Sequence, residues 1–373
     1  MHLKNLALKN FRNISESYLN LSPRLNIFIG DNGQGKTNFV EAIHYLIEGE
    51  SFRYGDYSTL IQFGYENSFI KSKIENNDLD YSILVKIYKN KKEILINDKK
   101  SSKIDQYLPP VVLFSPESLS VIKESADERR RLLDSLIITS HKIGKNLINE
   151  FKKALKTRNR ILKDIAEEKI NREIGIQTLE SLNPIYFTLA AKLTSLRIKS
   201  LFEIKNYVQN SLEKIETLDT VNFDFSYIIS DQKIVDNSEE NLLFLMKKRA
   251  QELFFAEVSS GVSLVGPQKH DVIFLYNGND SRFFCSQGQQ RSIILAFKIA
   301  QIVYHHMVNG FYPVLLLDDV LSELDQRKQS SLVLALNEIQ TQTFLTSTDV
   351  EVLKKLSIEK STIFKVQSGI ITN

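Results

Sequence analysis

The chain contains 373 residues, of which 42% are hydrophobic, so it exceeds the size of a single core and can form two lobes. Its single cysteine, Cys285, excludes an internal disulfide, and its 48 basic and 45 acidic residues give a formal charge of +3 that hides any local imbalance. Residues 1–13 alternate apolar and polar side chains instead of forming a signal core, and no apolar run approaches a membrane span. We therefore predict a cytoplasmic protein with no membrane partner.

A phosphate-binding loop is the first predicted feature along the chain. An apolar run, Leu25 to Ile29, precedes a match to G-x-x-x-x-G-K-[ST], and a helix-like run, Phe39 to Ile47, follows it. We expect its glycines to adopt positive φ angles, so that backbone N-H groups and the helix dipole together bind phosphates. The predicted nucleotide-binding residues are Gly30, Asp31, Asn32, Gly33, Gln34, Gly35, Lys36 and Thr37. Lys36 is expected to contact the β- and γ-phosphates, and the Thr37 hydroxyl to bind Mg²⁺.

The segments after this loop predict a small sheet and then a helical lobe. Alternating residues at Ser68–Ile74, Tyr81–Tyr88 and Glu93–Asn97 indicate an antiparallel meander. From about Ser125 to Leu218 the pattern is helical, with Gly144, Gly175 and Pro184 as breakers. These breaks favour an antiparallel hairpin over one long rod.

The helical lobe carries a local excess of positive charge. Residues 121–200 contain 17 basic and 10 acidic side chains. One predicted helix has an apolar face of Ile148, Phe151, Leu155 and Leu162, and the opposite face carries Lys142, Lys145, Lys152, Lys156, Arg160 and Lys163. This stripe is either a plain solvated face or a surface that contacts nucleic-acid phosphates. For DNA contact the candidates are Lys145, Lys152, Lys156 and Arg160.

The last part of the chain predicts a strand at Val221–Ile229, a helix at Glu239–Val258 and two short functional segments. The first segment, Ser286 to Gln290, is a small-residue turn before an apolar-periodic run, and alone it is typical of a capped surface helix. The second is the buried strand Val314–Leu317, followed by two carboxylates. Asp318 would bind Mg²⁺ and Asp319 would polarise the attacking water, unless both are surface loop residues.

The order of these segments resembles that of an ABC-type ATPase head, and the chain resembles the RecF family from end to end. The opening Leu8-Lys9-Asn10-Phe11-Arg12-Asn13 is similar to the family's first strand and turn. Pro116-Glu117 and Arg129–Asp134 resemble its first signature, and Leu316–Leu332, which contains Ser322-Glu323-Leu324-Asp325, resembles its second. The resemblance implies an α/β P-loop ATPase head, like that of structural-maintenance-of-chromosomes (SMC) proteins, with a small antiparallel β subdomain and an inserted helical lobe.

The resemblance also implies a division of the chain and a mechanism. Residues 1–120 and 221–373 would form the ATPase core, and 121–220 the inserted lobe. ATP and Mg²⁺ would be enclosed by a homodimer in which Ser286, Gly288 and Gln289 of one protomer act in trans on the other protomer's ATP. Lys36, Asp319 and Ser286 would be the catalytic residues. Arg12 is similar to a family arginine near the nucleotide, although it can equally be a surface arginine.

By resemblance, the function is recombinational repair and replication-fork recovery. The protein would bind single-stranded DNA and the junctions of single- and double-stranded DNA at gaps. With RecO and RecR it would help load RecA, supporting the SOS response, as a weak, DNA-stimulated ATPase in the nucleoid of a bacterial cell. Asp319 stands where ABC ATPases commonly have glutamate, which predicts turnover below about 10 s⁻¹, the median for enzymes.

Departures from the family pattern leave some roles open. Glu124 and Ala126 replace the usual glycine and proline before the arginine run, and the Gly266–Asp271 segment differs from its family counterpart. The run Arg129-Arg130-Arg131 either faces DNA or a partner, or pairs with Asp127, Glu128 or Asp134. His44, His305 and His306 lack partners at zinc spacing and are expected to have packing or surface roles.

Three alternative functions remain. A transporter's ATPase subunit would carry a switch histidine where this chain has Ser347-Thr348-Asp349, and a glutamate after Asp318. A RecF-like ATPase of phage defence usually carries a nuclease domain, for which this chain has no spare length. The third is an SMC-like DNA clamp with a purely structural role.

Overall fold

The computed structural model describes residues 2–53, 55–76, 79–101, 108–216, 221–234, 237–348 and 361–372. The described residues divide into two compact units. The first comprises Met1–Leu119, Lys214–Glu216 and Ile294–Asn373, and the second Ser120–Glu213 and Thr217–Ile293. The predicted division differs in two respects. Residues 221–293 belong with the helical lobe and not with the ATPase core, and Lys214–Glu216 of the predicted lobe belong with the first unit. The strands and helices within 221–293 pack mainly on the helices that precede them.

The described N-terminal part of the first unit consists mainly of strands, with three helices between or after them. Its elements are β1 (His2–Leu3), β2 (Asn5–Phe11), β3 (Ile14–Asn20), β4 (Leu25–Ile29), α1 (Lys36–Glu48), α2 (Tyr57–Leu60), β5 (Asn67–Asn76), β6 (Leu79–Tyr88), β7 (Lys91–Ile96), β8 (Lys99–Lys100), β9 (Val111–Phe114) and α3 (Pro116–Leu119).

An antiparallel sheet forms from most of these strands, in the order β3-β2-β5-β6-β7-β8, with β1 paired to β5. Alternate residues such as Ile70, Ile83 and Val85 are buried, and their neighbours point away from the core. Burial of one face fixes the register of the strands. The predicted meander is therefore confirmed at β5, β6 and β7.

The second unit combines long helices with a small antiparallel sheet. Its elements are α4 (Ala126–Ser140), α5 (Gly144–Ala166), α6 (Arg172–Glu216), β10 (Phe223–Ile229), β11 (Gln232–Lys233), α7 (Glu239–Glu252), α8 (Phe254–Ser260), β12 (Asp271–Tyr276), β13 (Asn279–Asp280) and α9 (Ser281–Phe284). The sheet order is β11-β10-β12-β13.

Helices α5 and α6 form the predicted antiparallel hairpin. The ring centroids of Phe151 and Tyr186 lie 5.7 Å apart, and Arg158 Nε donates to Asn183 Oδ1 at 3.0 Å. A Cβ atom on Gly175 would lie 2.4 Å from the Ile165 side chain, so glycine permits the close approach of the two helices near their turn. Residue numbers rise along α5 from Phe151 to Arg158 while those of their partners on α6 fall, so the two helices are antiparallel.

The predicted positions of the helix breaks were wrong in two places. Helix α6 continues through Gly175 and Pro184, and the turn of the hairpin lies at residues 167–171 instead. There Glu168 has φ 55° and the Asn171 side chain accepts hydrogen bonds from the next helix's first N-H groups. Packing of α6 on α5 outweighs the local cost of the proline. The predicted end at Leu218 lies outside the described residues.

The single helix predicted at Glu239–Val258 is divided in two. Helix α7 ends at Glu252 and α8 begins at Phe254, because Leu253 leaves the helical conformation with ψ 6°. The predicted strand at Val221–Ile229 is confirmed as β10, which begins two residues later.

A buried ion pair joins α5 to α8. Arg158 is 2% exposed and donates two hydrogen bonds to Glu257, at 3.0 and 2.6 Å, and Glu257 is fully buried. Glu257 Oε1 also accepts the backbone N-H of Leu264 at 2.7 Å, and Arg158 donates to Ser263 Oγ at 2.8 Å. Both charges therefore have several partners, as burial of an ion pair requires.

The chain then returns to the first unit through α10 (Gln287–Asn309), followed by β14 (Val314–Leu317), α11 (Gln326–Glu338), β15 (Thr343–Ser347), β16 (Ser361–Gln367) and β17 (Ile370–Thr372). With β4 and β9 these strands form a second sheet in the order β17-β16-β4-β15-β14-β9. Every pair in it is parallel except β16 with β17. The carboxyl ends of β4, β14 and β15 consequently meet at one edge.

Helix α1 lies in the core shared by the two sheets of the first unit. Phe39 on α1 stacks on Phe28 of β4 at 5.3 Å between ring centroids, and Phe28 stacks on Phe364 of β16 at 5.2 Å. Ile70 of the antiparallel sheet belongs to the same core. None of the helices in the described part of the chain has both the length and the apolar character that a membrane span requires.

Replacing Arg158 with Met should destabilise the second unit by about 3–5 kcal/mol, because Glu257 would remain buried without its charged partner. Urea unfolding followed by circular dichroism measures the change. The control is Lys152→Met on the exposed side of the same helix, which should change stability by less than about 0.5 kcal/mol. A loss below 1 kcal/mol for Arg158→Met would contradict the importance of the pair.

Candidate nucleotide-binding site

The loop between β4 and α1 has the backbone geometry of a phosphate-binding loop. Gly33 and Gly35 have φ angles of 79° and 104°, in the region that favours glycine. The prediction of a positive φ was wrong for Gly30. That residue must be glycine for another reason, because a Cβ atom there would lie 2.2 Å from the carbonyl oxygen of Val366 on β16.

Lys36 is the first residue of α1 and lies over this loop. Its Nζ donates to the carbonyl oxygens of Gly30, at 2.7 Å, and Asp31, at 2.9 Å. Burial lowers the pKa of Lys36 below its ordinary value, and the carboxylates of Asp319 and Asp318 counteract part of that shift. The geometry therefore concentrates positive charge where the loop N-H groups and the helix N-terminus also attract anions.

Asp318 connects the loop to the end of β14. Its Oδ1 accepts hydrogen bonds from the hydroxyls of Thr37 on α1 and Thr346 on β15, each at 2.9 Å. Burial raises the pKa of Asp318 above its ordinary value, and these two hydroxyls oppose the shift. The predicted pair Thr37 and Asp318 is thus brought together across 281 positions of sequence.

A hydroxyl and a carboxylate in contact are suitable ligands for Mg²⁺, which prefers oxygen and is usually bound by few protein groups plus phosphates. In the described part of the chain, no group of three or more histidine, cysteine or carboxylate side chains could hold a metal ion. Thr37 and Asp318 therefore fit a magnesium ion that shares its coordination with a nucleotide.

Asp319 begins a tight turn directly after Asp318. Its backbone lies in the left-handed region, with φ 50°, and its N-H donates to Thr346 Oγ1 at 2.8 Å. Thr346 therefore fixes both carboxylate residues, although the sequence analysis did not identify it. Three of the five residues of β15 are polar, so no sequence signal singles out Thr346.

Gln34 is held by the turn between β16 and β17. Its Oε1 accepts the N-H of Ser368 at 2.6 Å, and its carbonyl oxygen accepts the N-H of Gly369 at 2.8 Å. The Gln34 side chain, predicted to bind nucleotide, here anchors the loop. Asp31, Asn32 and Gly33 are exposed in the same loop.

Arg12 pairs with a buried glutamate on α1. Its Nε and Nη2 donate to the two carboxylate oxygens of Glu41, at 3.0 and 2.6 Å, and Glu41 is fully buried. Ser51 Oγ donates to Glu41 at 2.6 Å, and Arg53 Nη1 donates to Asn38 Oδ1 on α1 at 2.9 Å. The sequence analysis missed Glu41 and Arg53; a lone acid in an apolar helical run was the available signal for Glu41.

The signature segment, Ser286 to Gln290, opens α10 with a reciprocal cap. Gln289 N-H donates to Ser286 Oγ at 3.2 Å, and Ser286 N-H donates to Gln289 Oε1 at 2.9 Å, which is the capping-box arrangement. Gln290 Nε2 donates to the Ser281 carbonyl at 2.8 Å and supports the turn. The prediction of a small-residue turn before a helix is confirmed, with Ser286 exposed and Gly288 half-buried at its start.

The predicted basic stripe lies on α5 except for Lys142, which lies in the turn before this helix. Ile148, Phe151 and Leu162 are buried and Leu155 is partly buried, so the amphipathic helix is confirmed. Lys152, Lys156 and Arg160 are exposed and Lys145 is half-buried. Arg160 Nε lies 3.9 Å from Asp164, and among the described residues Lys152 and Lys156 form no ion pair.

The arginine run makes ion pairs inside the second unit. Arg129 is 4% exposed and donates to both oxygens of Asp271, at 2.8 and 2.7 Å, and Arg131 contacts Glu128 at 2.6 Å. Arg130 contacts Asp127 and the carbonyl of His270. Asp134 instead accepts from Arg197, at 2.7 Å. The run was predicted either to face DNA or a partner, or to form ion pairs with nearby carboxylates, and the structure supports the ion pairs.

The altered Gly266–Asp271 segment belongs to this buried polar network. Burial lowers the pKa of His270 to about 3, and Nδ1 of His270 lies 3.2 Å from the Tyr227 hydroxyl. Arg197 Nη1 donates to the carbonyl of Pro267 at 2.8 Å.

The predicted histidines lie in packing positions. His44 Nδ1 lies 2.9 Å from the Glu50 carbonyl, and the His306 ring stacks on Tyr312. His305 is buried against Phe311. At the position where a transporter's ATPase subunit would carry a switch histidine, Ser347 is buried and Thr348 is exposed, while Asp349 lies outside the described residues.

These features define a class of protein. A phosphate loop after a central parallel strand, a buried aspartate after another strand of the same parallel sheet, a flanking antiparallel sheet and a signature helix together describe an ABC-type ATPase head. Consistent with this class, residues 2–372 match the family model described as RecF/RecN/SMC N-terminal domain.

The chain belongs to the RecF family. It is 33% identical to the DNA replication and repair protein RecF of Lactobacillus johnsonii, over 100% of this chain and 99% of the relative. It is 36% identical to the protein of the same name from Clostridium botulinum, over 99% of both chains.

Solved structures agree with this assignment. A structure of the recombination mediator protein RecF with ATP, in the RecFOR pathway, matches with a TM-score of 0.85 and 30% identity, over 100% of this chain and 97% of the other. An Smc head bound to the C-terminal winged-helix domain of ScpA matches over 100% of this chain and 96% of the other, with a TM-score of 0.60. Its 15% identity shows a shared fold alone.

Replacing Asp318 with Asn should stabilise the nucleotide-free protein near pH 7. Burial raises the pKa of Asp318 in the folded state, so its contribution to stability is fully present below the unfolded pKa and is lost as pH rises through the folded pKa. Thermal melting at pH 7 and at lower pH should show an advantage of the variant that shrinks as pH falls.

The matched control is Asp31→Asn, which changes an exposed carboxylate of the same loop and should leave the melting temperature within about 1 °C. A lower melting temperature for Asp318→Asn at pH 7 would contradict the burial argument.

Proposed function

We propose that this protein is an ATP-dependent switch that binds DNA during recombinational repair. The observation that carries the proposal is the contact between Thr37 Oγ1 and Asp318 Oδ1 at 2.9 Å, because it unites the two halves of an ATP and Mg²⁺ site. The RecF structure with ATP supports the choice of nucleotide. ATP hydrolysis, rather than ATP binding alone, is part of the proposal.

The proposed chemistry is mainly electrostatic. The loop N-H groups, the N-terminus of α1 and Lys36 stabilise negative charge on the β- and γ-phosphates. Thr37 and Asp318 hold Mg²⁺, which neutralises charge on the phosphate oxygens. Asp319, half-buried beside this pair and close enough to Lys36 to affect its pKa, orients the attacking water. We expect slow hydrolysis, suited to a switch.

The second element of the proposal is an ATP-dependent homodimer. Ser286 is exposed at the start of a 23-residue helix, with its backbone fixed by the capping box, so its hydroxyl and the helix dipole are preorganised for an anion. We propose that Ser286, Gly288 and Gln289 engage the γ-phosphate bound to a second copy. Hydrolysis then removes the contact that joins the two protomers.

The third element of the proposal concerns the DNA that the protein binds and the repair pathway in which it acts. A ligand shifts an equilibrium only through contacts specific to one state, so DNA binding that depends on the dimer also depends on ATP. Single-stranded DNA and gap junctions are the proposed targets, and DNA stimulates the ATPase. The protein acts at the nucleoid with RecO and RecR to help load RecA and support the SOS response. The relatives' names and the RecFOR pathway of the similar structures support this assignment.

Replacing Lys36 with Met should weaken ATP binding by about 30-fold or more, because a charge-assisted contact to phosphate is lost. Sedimentation velocity should find ATP-induced dimers for the unmodified protein and monomers for the variant at the same ATP concentration. Gapped DNA should bind more weakly to the variant under these conditions.

The control for this experiment is Ser286→Arg, which should bind ATP normally and still fail to dimerise. If the Lys36→Met protein dimerises and binds gapped DNA as well as the unmodified protein does, the switch is refuted and a structural clamp is favoured.

A double charge reversal, Lys152→Glu with Lys156→Glu, should weaken binding to duplex DNA of any sequence. Each lost phosphate contact should reduce the magnitude of the slope of log affinity against log salt by about 0.9. The slope of the double variant should therefore be smaller in magnitude by about 1.8. Fluorescence anisotropy over a salt series measures the slope. Lys247→Glu with Lys248→Glu, an equal charge change on exposed residues of α7, is the control. An unchanged slope in the α5 variant would show that Lys152 and Lys156 do not contact DNA phosphates.

A further inference from the structure

The outward face of the antiparallel sheet in the first unit carries lysines and aromatic side chains in rows that cross the strands. Residues directly opposite one another in antiparallel strands project from the same face. Ile70, Ile83 and Val85 fill the core, so the residues between them on β5 and β6 face away from it.

Two adjacent rows define this surface, which we call the sheet face. The first row runs across β3, β2, β5, β6 and β7 through Glu16, Lys9, Phe69, Lys86 and Glu93. The second runs across β3, β2, β5 and β6 through Tyr18, Ala7, Lys71 and Leu84, and Lys73 lies two residues along β5 from Lys71.

Most of the described lysines on the sheet face form no ion pair, although Glu16 lies directly opposite Lys9. Among the described residues, no ion pair is formed by Lys9, Lys71, Lys73 or Lys86, and the first three are exposed. Glu93 already contacts Lys91 at 3.6 Å and Lys100 at 3.4 Å. At the far end of the face, Glu75 and Asp80 both contact Lys4 at 2.8 Å. An extended ligand with repeated negative charges complements the remaining lysines.

The aromatic residues indicate which polyanion fits. Tyr18 is 64% exposed at the edge strand β3, and Phe69 lies half-buried between Lys9 and Lys86 in the first row. Because neighbouring strands are about 4.8 Å apart, Lys9 and Lys86 flank Phe69 over a span of about 10 Å. Aromatic side chains beside a basic track stack on unpaired bases while the lysines contact phosphates. In a duplex the bases are stacked inside the helix, so neither Tyr18 nor Phe69 could stack on them.

We propose that the sheet face binds single-stranded nucleic acid, with Lys71, Lys73 and Lys9 on the phosphates and Tyr18 stacked on a base. The proposal rests on the proposed function only in taking DNA as the ligand. It assigns single-strand binding to this face, separately from the duplex contact proposed for Lys152 and Lys156 on α5.

The test compares variants of the 373-residue chain by fluorescence anisotropy with a fluorescein-labelled thirty-residue oligo-dT and a thirty-base-pair duplex, with ATP present. Lys71→Glu with Lys73→Glu should reduce the salt slope for oligo-dT by about 1.4, because each phosphate contact to a single strand contributes about 0.7. Tyr18→Ala should weaken oligo-dT binding by about fivefold or more and leave duplex binding unchanged. Tyr18→Phe, which keeps the ring, should bind as the unmodified protein does.

These side chains are exposed, so their replacement should leave the fold intact, and thermal melting of each variant checks this. The pair Lys247→Glu with Lys248→Glu is the charge-matched control and should leave oligo-dT binding unchanged. If the unmodified protein binds oligo-dT and the sheet-face variants bind it equally well, the assignment of single-strand binding to the sheet face is refuted and the proposed function stands. If charge reversal weakens binding and Tyr18→Ala does not, base stacking is overturned. If the unmodified protein binds neither DNA, the proposed function fails as well.

Discussion

A buried carboxylate, Asp318, is the contact on which the candidate site depends. It follows strand β14, which lies between β15 and β9, and accepts hydrogen bonds from Thr37 on α1 and Thr346 on β15. Through these two hydroxyls it fixes the first turn of the phosphate-loop helix against the edge of the parallel sheet. The cost is a carboxylate held in a poorly solvated place, which a bound magnesium ion is suited to offset.

Two other buried carboxylates, Glu41 and Glu257, are also held by several partners. Glu41 is fully buried and is satisfied by Arg12 and Ser51, which positions the N-terminal turn against α1. In the second unit, Arg158 and Glu257 do the same for α5 and α8. Such networks are expensive to break because removal of one partner leaves the other charge desolvated. They therefore define unique packing arrangements around the loop and within the helical unit.

Much of the fold could be predicted from the sequence because its signals are local. Alternation in β5 to β7 reports a sheet with one buried face, and the apolar run of β14 reports a strand buried on both faces. The amphipathic spacing of α5 correctly separated its lysines from its buried side. The same local rules failed at Gly175 and Pro184, since packing of α6 against α5 overrides intrinsic helix propensity. They also failed at Leu253, where no breaker residue announces the end of α7.

For the candidate site, the sequence by itself determined the loop, its lysine and the acidic strand, because each is a short motif whose chemistry requires those residue types. Only the tertiary structure decided what surrounds them. It assigned the Gln34 side chain to the turn at Ser368, gave Gly30 its close contact with Val366, and recruited Thr346 as the second partner of Asp318. It also aligned the lysines of separate strands into the rows of the sheet face. These arrangements join residues that are distant along the chain, and their distances depend on strand order and register, which no local pattern encodes.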